Sequence, residues 1–221
     1  MITPLTLHPD TTILLEPRYF GSIGWYAAMA SCEYALVDYT SRYDKRRKLT
    51  HRTTIADVNG PLDLTVPISR PPLTDHDAGP LTWSDILVSP HDQWWNIHRV
   101  TLESAYGRTP YFEFYIDRFL PALTPGVVDR FPTLRELDTF LDREIRRILC
   151  LPGSQIVSRP KGDIVDMRRR EPEPRAAAEW PPYYQVRAAR HGFIPGLSIL
   201  DLIFNLGPEA PLYLRKVLAT D

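Results

Sequence analysis

Apolar positions along this chain come in short runs that switch between two periods. Thr12–Leu15 (TILL) is a continuous apolar run halted by Pro17, which predicts a short buried strand after a loose lead-in over the first ten residues. Gly24–Cys32 then places Trp25, Ala28, Met29 and Cys32 at i, i+3, i+4 and i+7, the spacing of one helix face. Tyr34–Tyr39 returns to a strand pattern, and a basic turn, Arg42–Lys48, follows.

The clearest local signal is Thr53–Ile68. Two strand-like arms flank Asn59-Gly60, a dipeptide suited to positive φ at both positions of a tight hairpin turn. Leu62, Leu64, Val66 and Ile68 alternate with polar residues or proline, so one face of the second arm is expected in the core. Pro67 belongs at a sheet edge or bulge. The stretch RPPLTDHDAGP reads as a loop, and Trp83–Val88 as another strand.

From His91 the period becomes helical. Trp94, His98, Leu102 and Ala105 form one stripe, with Gly107 and Pro110 as stop signals. Tyr111–Leu120 is very aromatic and reads as a helix or tight turn. Thr133–Leu149 is the most regular helix: Thr133 with Glu136 three residues on makes a capping box, and Leu134, Leu137, Leu141, Ile145 and Ile148 face inward. Residues 158–182, with the run Arg168–Arg170, read as a mobile loop. Ser198 caps a final pair of short helices. These elements predict one α+β domain over residues 1–221: a small mixed sheet, with its hairpin around Asn59-Gly60, covered by helices from the C-terminal half.

Composition narrows the function. Twenty-six Lys and Arg against 27 Asp and Glu leave a net charge of −1, which argues against nucleic-acid backbone binding as the main task. Twenty-two prolines against 11 glycines favour many rigid connections over a few long helices. Cys32 and Cys150 each sit in an apolar stretch and are expected as reduced core residues, not a disulfide framework. No apolar run is long enough to span a membrane, and MITPLTLHPD has neither a basic start nor the apolar run of a signal peptide. A cytoplasmic protein is the expectation. The phosphate-binding glycine loops, the nicotinamide and flavin fingerprints and the common metal-ligand spacings are all missing, so no cofactor is implied.

What remains are polar residues in apolar settings. His98, on the Trp94–Leu102 stripe, is either a core histidine satisfied by backbone or a general base at a pocket mouth. Arg99 and Glu103 are spaced as an exposed helix pair. Arg42, Lys45, Arg46, Arg47, Lys48, His51 and Arg52 either clamp a phosphate or carboxylate or form a solvated basic loop. Arg168–Arg170 fits a solvated loop. Trp94, Trp95, Tyr111, Phe112, Phe114 and Tyr115 make either a stacking wall for a sugar or base, or simply core.

Five blocks also carry a family resemblance. Pro17–Met29 (PRYFGSIGWYAAM) is similar to an opening Pro-x-Tyr motif that leads into an aromatic helix. His51–Ile55 (HRTTI) resembles an Arg-containing strand, and Leu64–Ile68 (LTVPI) a Leu-Thr-Val-Pro-Val segment. Gln93–Tyr115 is the strongest match, through Trp94, His98, Ser104, Ala105, Tyr106, Pro110, Tyr111 and Phe112. Gly192–Ala210 resembles a closing segment. In this order the blocks resemble the WbqC-like family. Longer relatives have His-Gln where this chain has Leu15 and Glu16, and a glycine-rich Ser-Gly motif with no counterpart between Leu149 and Tyr183.

The resemblance implies a cytoplasmic bacterial protein associated with O-antigen and other surface-polysaccharide synthesis. It further implies a transferase that moves an amino-acid or acyl group onto a nucleotide- or phosphate-activated small molecule, working alone or as a homodimer. The site is then expected where the His51–Arg52 strand end meets the helix beginning at Trp94. There Arg52 would hold a phosphate or carboxylate, and His98 would act as base with Glu103 as a second catalytic group. Tyr19 and Tyr106 would orient substrate through their hydroxyls, with His51 and Trp94 completing the contacts. The alternative is a non-catalytic binding or scaffold module for partner enzymes.

Overall fold

Strand β1 (His8–Leu15) starts before its apolar run and is buried from Thr11 onward, so His8–Asp10 belong to the sheet and not to a loose lead-in. The computed structural model describes residues 8–72, 79–151, 155–156, 158–168 and 180–219. Helix α1 (Ile23–Ala30) leads back to strand β2 (Cys32–Val37), which pairs parallel with β1, Leu15 opposite Val37. A parallel neighbour requires such a crossover, and the strand–helix–strand reading of the sequence is this unit. Ser22 caps α1 by accepting the Trp25 amide hydrogen at 3.1 Å. The helix is buried nearly all round, because the last helix of the chain packs on its far side.

The sheet is completed from unexpected parts of the chain. Strand β7 (Gln155–Ile156) joins β2, and strand β8 (Asp163–Asp166) joins the free side of β1; both pairings are parallel. The sheet therefore has the order β7-β2-β1-β8 and is wholly parallel. This corrects two expectations. Residues 163–166, read as loop, are a strand; residues 169–179 of that stretch lie outside the described residues. The small sheets are also not mixed: antiparallel pairing occurs separately, in the hairpin β3 (Arg52–Asp57) and β4 (Gly60–Thr65) and in the short pair β5 (Ile68–Ser69) and β6 (Leu87–Val88). The class is α+β, as expected.

The hairpin turn differs in detail from the sequence reading. Asp57 pairs with Gly60, so Val58 and Asn59 form the loop, and only Gly60 takes a positive φ, +112°. Leu64 and Val66 are buried, but Leu62 is 38% exposed, because β4's own alternation fails toward the turn. Trp83–Val88 is not one strand: Trp83–Asp85 is a helical turn with a Thr82/Asp85 capping box, and only Leu87–Val88 is extended.

Helix α2 (Trp94–Tyr106) buries Trp94, His98, Leu102, Ala105 and Tyr106, the stripe its sequence shows. Short helical turns α3 (Phe112–Tyr115) and α4 (Val127–Arg130) lead to α5 (Leu134–Leu149). Both halves of the Thr133/Glu136 capping box form, and Leu134, Leu137, Leu141, Ile145 and Leu149 pack inward. Helix α6 (Ala188–His191) precedes α7 (Ile199–Leu206), capped by Ser198, and α8 (Ala210–Ala219), the helix against α1. Cys32 is buried, but Cys150 is exposed: it ends α5 at φ +43° and turns away from the core its neighbours enter.

Candidate functional site

In an open parallel sheet the loops leaving the carboxyl ends of the strands enclose the natural crevice. Here that edge opens a cleft of about 740 Å3, within the range of small-molecule sites. Glu16 follows β1 directly, Asp166 ends β8 with Arg168 just beyond, and Ser41–Arg47 continue from β2. Arg70, after β5, closes the lining.

The cleft is cationic. Arg42, Lys45, Arg46, Arg47, Arg70 and Arg168 face Glu16, Asp44 and Asp166. Three of the cations are committed to carboxylates. Arg46 binds Asp44 at 2.8 Å, Arg47 pairs with Glu16, and Arg168 bridges Asp38 and Asp166, each at 2.6 Å. Hydrogen bonds from the Arg46 side chain and backbone lower the Asp44 carboxyl to about 2. Burial opposes ionisation of Asp38, yet hydrogen bonds from Thr40 and Arg168 carry its carboxyl below the usual range. The other three cations, Arg42, Lys45 and Arg70, make no ion pair among the described residues. All three are exposed, and Arg70 lies over the Tyr43 ring, 5.5 Å from its centroid.

Glu16 forms the floor of the cleft. It is 5% exposed, accepts from Arg18 at 2.9 Å on one oxygen and is ion-paired with Arg47 through the other. Arg47 also donates to the Arg168 carbonyl oxygen at 2.6 Å, tying the β8 end to the basic loop. Asp138 of α5, which feels the charge of Arg18, is 1% exposed, with neither carboxylate oxygen hydrogen-bonded among the described residues. Burial pushes its carboxyl well above the usual range; the nearby Asp142 adds to this and Arg18 opposes it. Asp142 accepts from the Tyr26 hydroxyl at 3.0 Å and, chiefly through burial, is raised to about 6.

The residues singled out in the sequence are dispersed. Tyr19, Trp94 and His98 do meet, but in the core: the Tyr19 hydroxyl and His98 Nδ1 are 2.9 Å apart, and Trp94 packs on the imidazole at 5.2 Å. His98 is 3% exposed and also bonds the Thr65 backbone; burial lowers it to about 4, so it is neutral at pH 7. The residue after Tyr19, Phe20, sits at φ +44°, and its carbonyl oxygen is fixed by the Thr53 and Ser198 hydroxyls. This is a strained junction held from two sides. Tyr106 is wholly buried; its hydroxyl accepts the Ala56 amide hydrogen at 3.1 Å and bonds Asp201.

Arg52 points along the hairpin to Thr65 and Asp63, both at 2.9 Å, and lines only a small recess of about 60 Å3. His51 is half-buried and bonds Thr50; burial first, then Arg52 and Lys48, lower it to about 4. Glu103 is at the surface, 3.7 Å from Arg99. Neither His98 nor Glu103 lines either recess, so the joint Arg52–His98 site is not assembled. Of the basic cluster, Arg42, Lys45, Arg46 and Arg47 enter the cleft, while Lys48, His51 and Arg52 do not. Arg168, read as part of a solvated loop, is instead held by two carboxylates.

Sequence reasoning passed over Glu16, Tyr43, Arg70 and Arg168 as site residues. Glu16 carried a usable signal, a charged residue directly after an apolar strand; the others are set by sheet order. Among the described residues no group of three or more His, Cys, Asp or Glu side chains is arranged to hold a metal ion, and no helix is long and apolar enough to cross a membrane.

A parallel sheet with a cationic crevice at its carboxyl edge is an arrangement that can hold an anion. Residues 16–159 match the WbqC-like protein family, so the chain belongs to it. The matched region begins at Glu16 on the cleft floor and stops before Gly192–Ala210. No curated protein and no solved structure matches the chain.

Proposed function

We propose that the chain binds a phosphate- or carboxylate-bearing small molecule in the cleft at the carboxyl edge of the sheet. There it acts as a group transferase in bacterial surface-polysaccharide or related glycoconjugate synthesis, moving an amino-acid or acyl group onto a nucleotide- or phosphate-activated substrate. The observation that carries the binding step is the trio Arg42, Lys45 and Arg70, cations without carboxylate partners among the described residues, around a cleft whose other cations are ion-paired. The WbqC-like resemblance supports the polysaccharide context. His98 and Glu103 have no part in this reading, since one is enclosed and the other lies on the open surface.

Calorimetric titration with inorganic pyrophosphate tests the binding step. The double variant Arg42→Ala/Lys45→Ala is expected to weaken binding by about tenfold or more, and the wild-type affinity is expected to fall with added salt. Equal affinity in wild type and double variant would place the anion elsewhere. The scaffold reading draws on exposed apolar side chains, Ile97 (52%), Val100 (49%) and Phe114 (74%). It would gain if pyrophosphate did not bind at all.

A further inference from the structure

Charge and shape together narrow the ligand class. Three cations in the cleft have no carboxylate partner among the described residues, and a nucleoside diphosphate carries about three negative charges near neutral pH. One aromatic ring, Tyr43, stands among the lining residues. It is fixed on both sides: its backbone N–H donates to Leu81 at 2.8 Å, and its ring packs T-shaped on Trp83, centroids 4.9 Å apart. Trp83 is 1% exposed and closes a small core of its own with Ile86 and Leu134, so the Tyr43 ring is held before any ligand arrives. Arg70 lies over that ring and brings its exposed charge with it.

The Tyr43 ring thus packs on a small core and at the same time stands in the lining beside the cations. Rings held this way serve as stacking platforms for bases, and an arginine beside them serves both the base and the phosphate. We infer that the cleft takes a nucleoside diphosphate moiety, its base stacked at the Tyr43–Arg70 platform and its diphosphate on Arg42, Lys45 and Arg70. This rests on the proposed anion site and names the ligand that site would select. Glu16 and Asp38 hold Arg47 and Arg168 in place, which keeps the cleft walls ordered without adding free charge.

The test compares uridine diphosphate, adenosine diphosphate and inorganic pyrophosphate by calorimetry on the full chain. At least one nucleotide should bind about tenfold tighter than pyrophosphate, the gain expected of one stacked base. In Tyr43→Leu that preference should vanish while pyrophosphate affinity stays, whereas Tyr43→Phe should keep it. Equal or tighter pyrophosphate binding in the wild type overturns the nucleotide inference and leaves the anion site standing. A preference that survives Tyr43→Leu overturns it too. If Tyr43→Leu loses pyrophosphate as well, Tyr43→Phe decides: a retained preference supports the ring platform, and a lost one overturns stacking. Failure of all three ligands to bind the wild type removes the anion site and the inference together.

Discussion

In the Tyr19–Trp94–His98 cluster each polar ring atom finds its partner inside the fold. Tyr19 meets His98, His98 meets the Thr65 backbone, and the Trp94 indole N–H donates to the Ser89 carbonyl oxygen at 3.0 Å. In the cleft, Arg42, Lys45 and Arg70 keep their charges exposed, with no carboxylate among the described residues. On the page of the sequence the two regions look alike, with aromatic and titratable residues interleaved. The lesson is that an unusual residue in an apolar setting is weak evidence for function until its hydrogen bonds are counted. A buried group fully satisfied by its own chain has nothing left to offer a ligand. A group left unbalanced at an open edge does.

The sharpest way to break this contrast is at the cleft floor, where the two types of region meet. Glu16 is enclosed like the core cluster yet lines the cleft, and its partner Arg18 is 8% exposed. Glu16→Ala removes a buried carboxylate from two guanidinium groups and should cost about 3–5 kcal/mol of stability by denaturant titration. Glu16→Gln, which keeps the shape and an acceptor oxygen, should cost clearly less. A negligible loss in Glu16→Ala would show that the floor is solvated and that Glu16 belongs functionally with the open cations.

His98→Ala comes next. It leaves Tyr19 and the Thr65 backbone without their ring partner and should cost about 1–3 kcal/mol while leaving pyrophosphate binding unchanged. Its pH dependence sharpens the assignment. His98 is lowered to about 4 in the fold against an ordinary 6.5, so below pH 6.5 the unfolded chain binds protons that the folded one refuses. Stability is complete above that value and drains away as pH falls toward 4. His51, also lowered to about 4, acts in the same direction. Asp142, raised to about 6, opposes both across the same window, since it keeps its proton in the fold while the unfolded chain has lost its own. The readout is therefore the difference between wild type and His98→Gln, which should shrink as pH falls from about 6.5 to 4. A constant difference would place His98 in solvent.

The smallest effect is expected at Arg52→Ala. Its ion pair with Asp63 is half-exposed, and removing it should cost about 0.2–1 kcal/mol, with pyrophosphate affinity unaltered. Loss of binding in this variant would restore the hairpin end as part of the ligand site.

Much of the secondary structure was legible because its causes are local. The α2 stripe, the Thr133/Glu136 box and the strand–helix–strand unit each depend on residues within a few turns of one another. The hairpin was legible too, although Asn59 did not need the positive φ its identity allows. Strand β8 was missed because Asp163–Asp166 has only two apolar residues, Ile164 and Val165, both exposed at 55% and 41%. An edge strand gains its order from the hydrogen bonds of β1, and hydrophobic periodicity cannot register that.

The candidate site shows the same division. The basic loop was visible as a cluster with two readings, and the sequence by itself determined that a pool of cations follows β2. It also determined the α+β class, through the alternation of periods, and the capped helix α5. Tertiary structure alone decided that β1, β2 and β8 end side by side, that Glu16 and Asp38 take Arg47 and Arg168 out of play, and that Arg42, Lys45 and Arg70 remain. It alone decided, too, that His98 faces Tyr19 and not water. The reason is physical: a residue's type fixes what charge and hydrogen bonds it brings, but whether they are spent within the fold depends on partners distant in the chain, such as His98 and Tyr19, 79 residues apart.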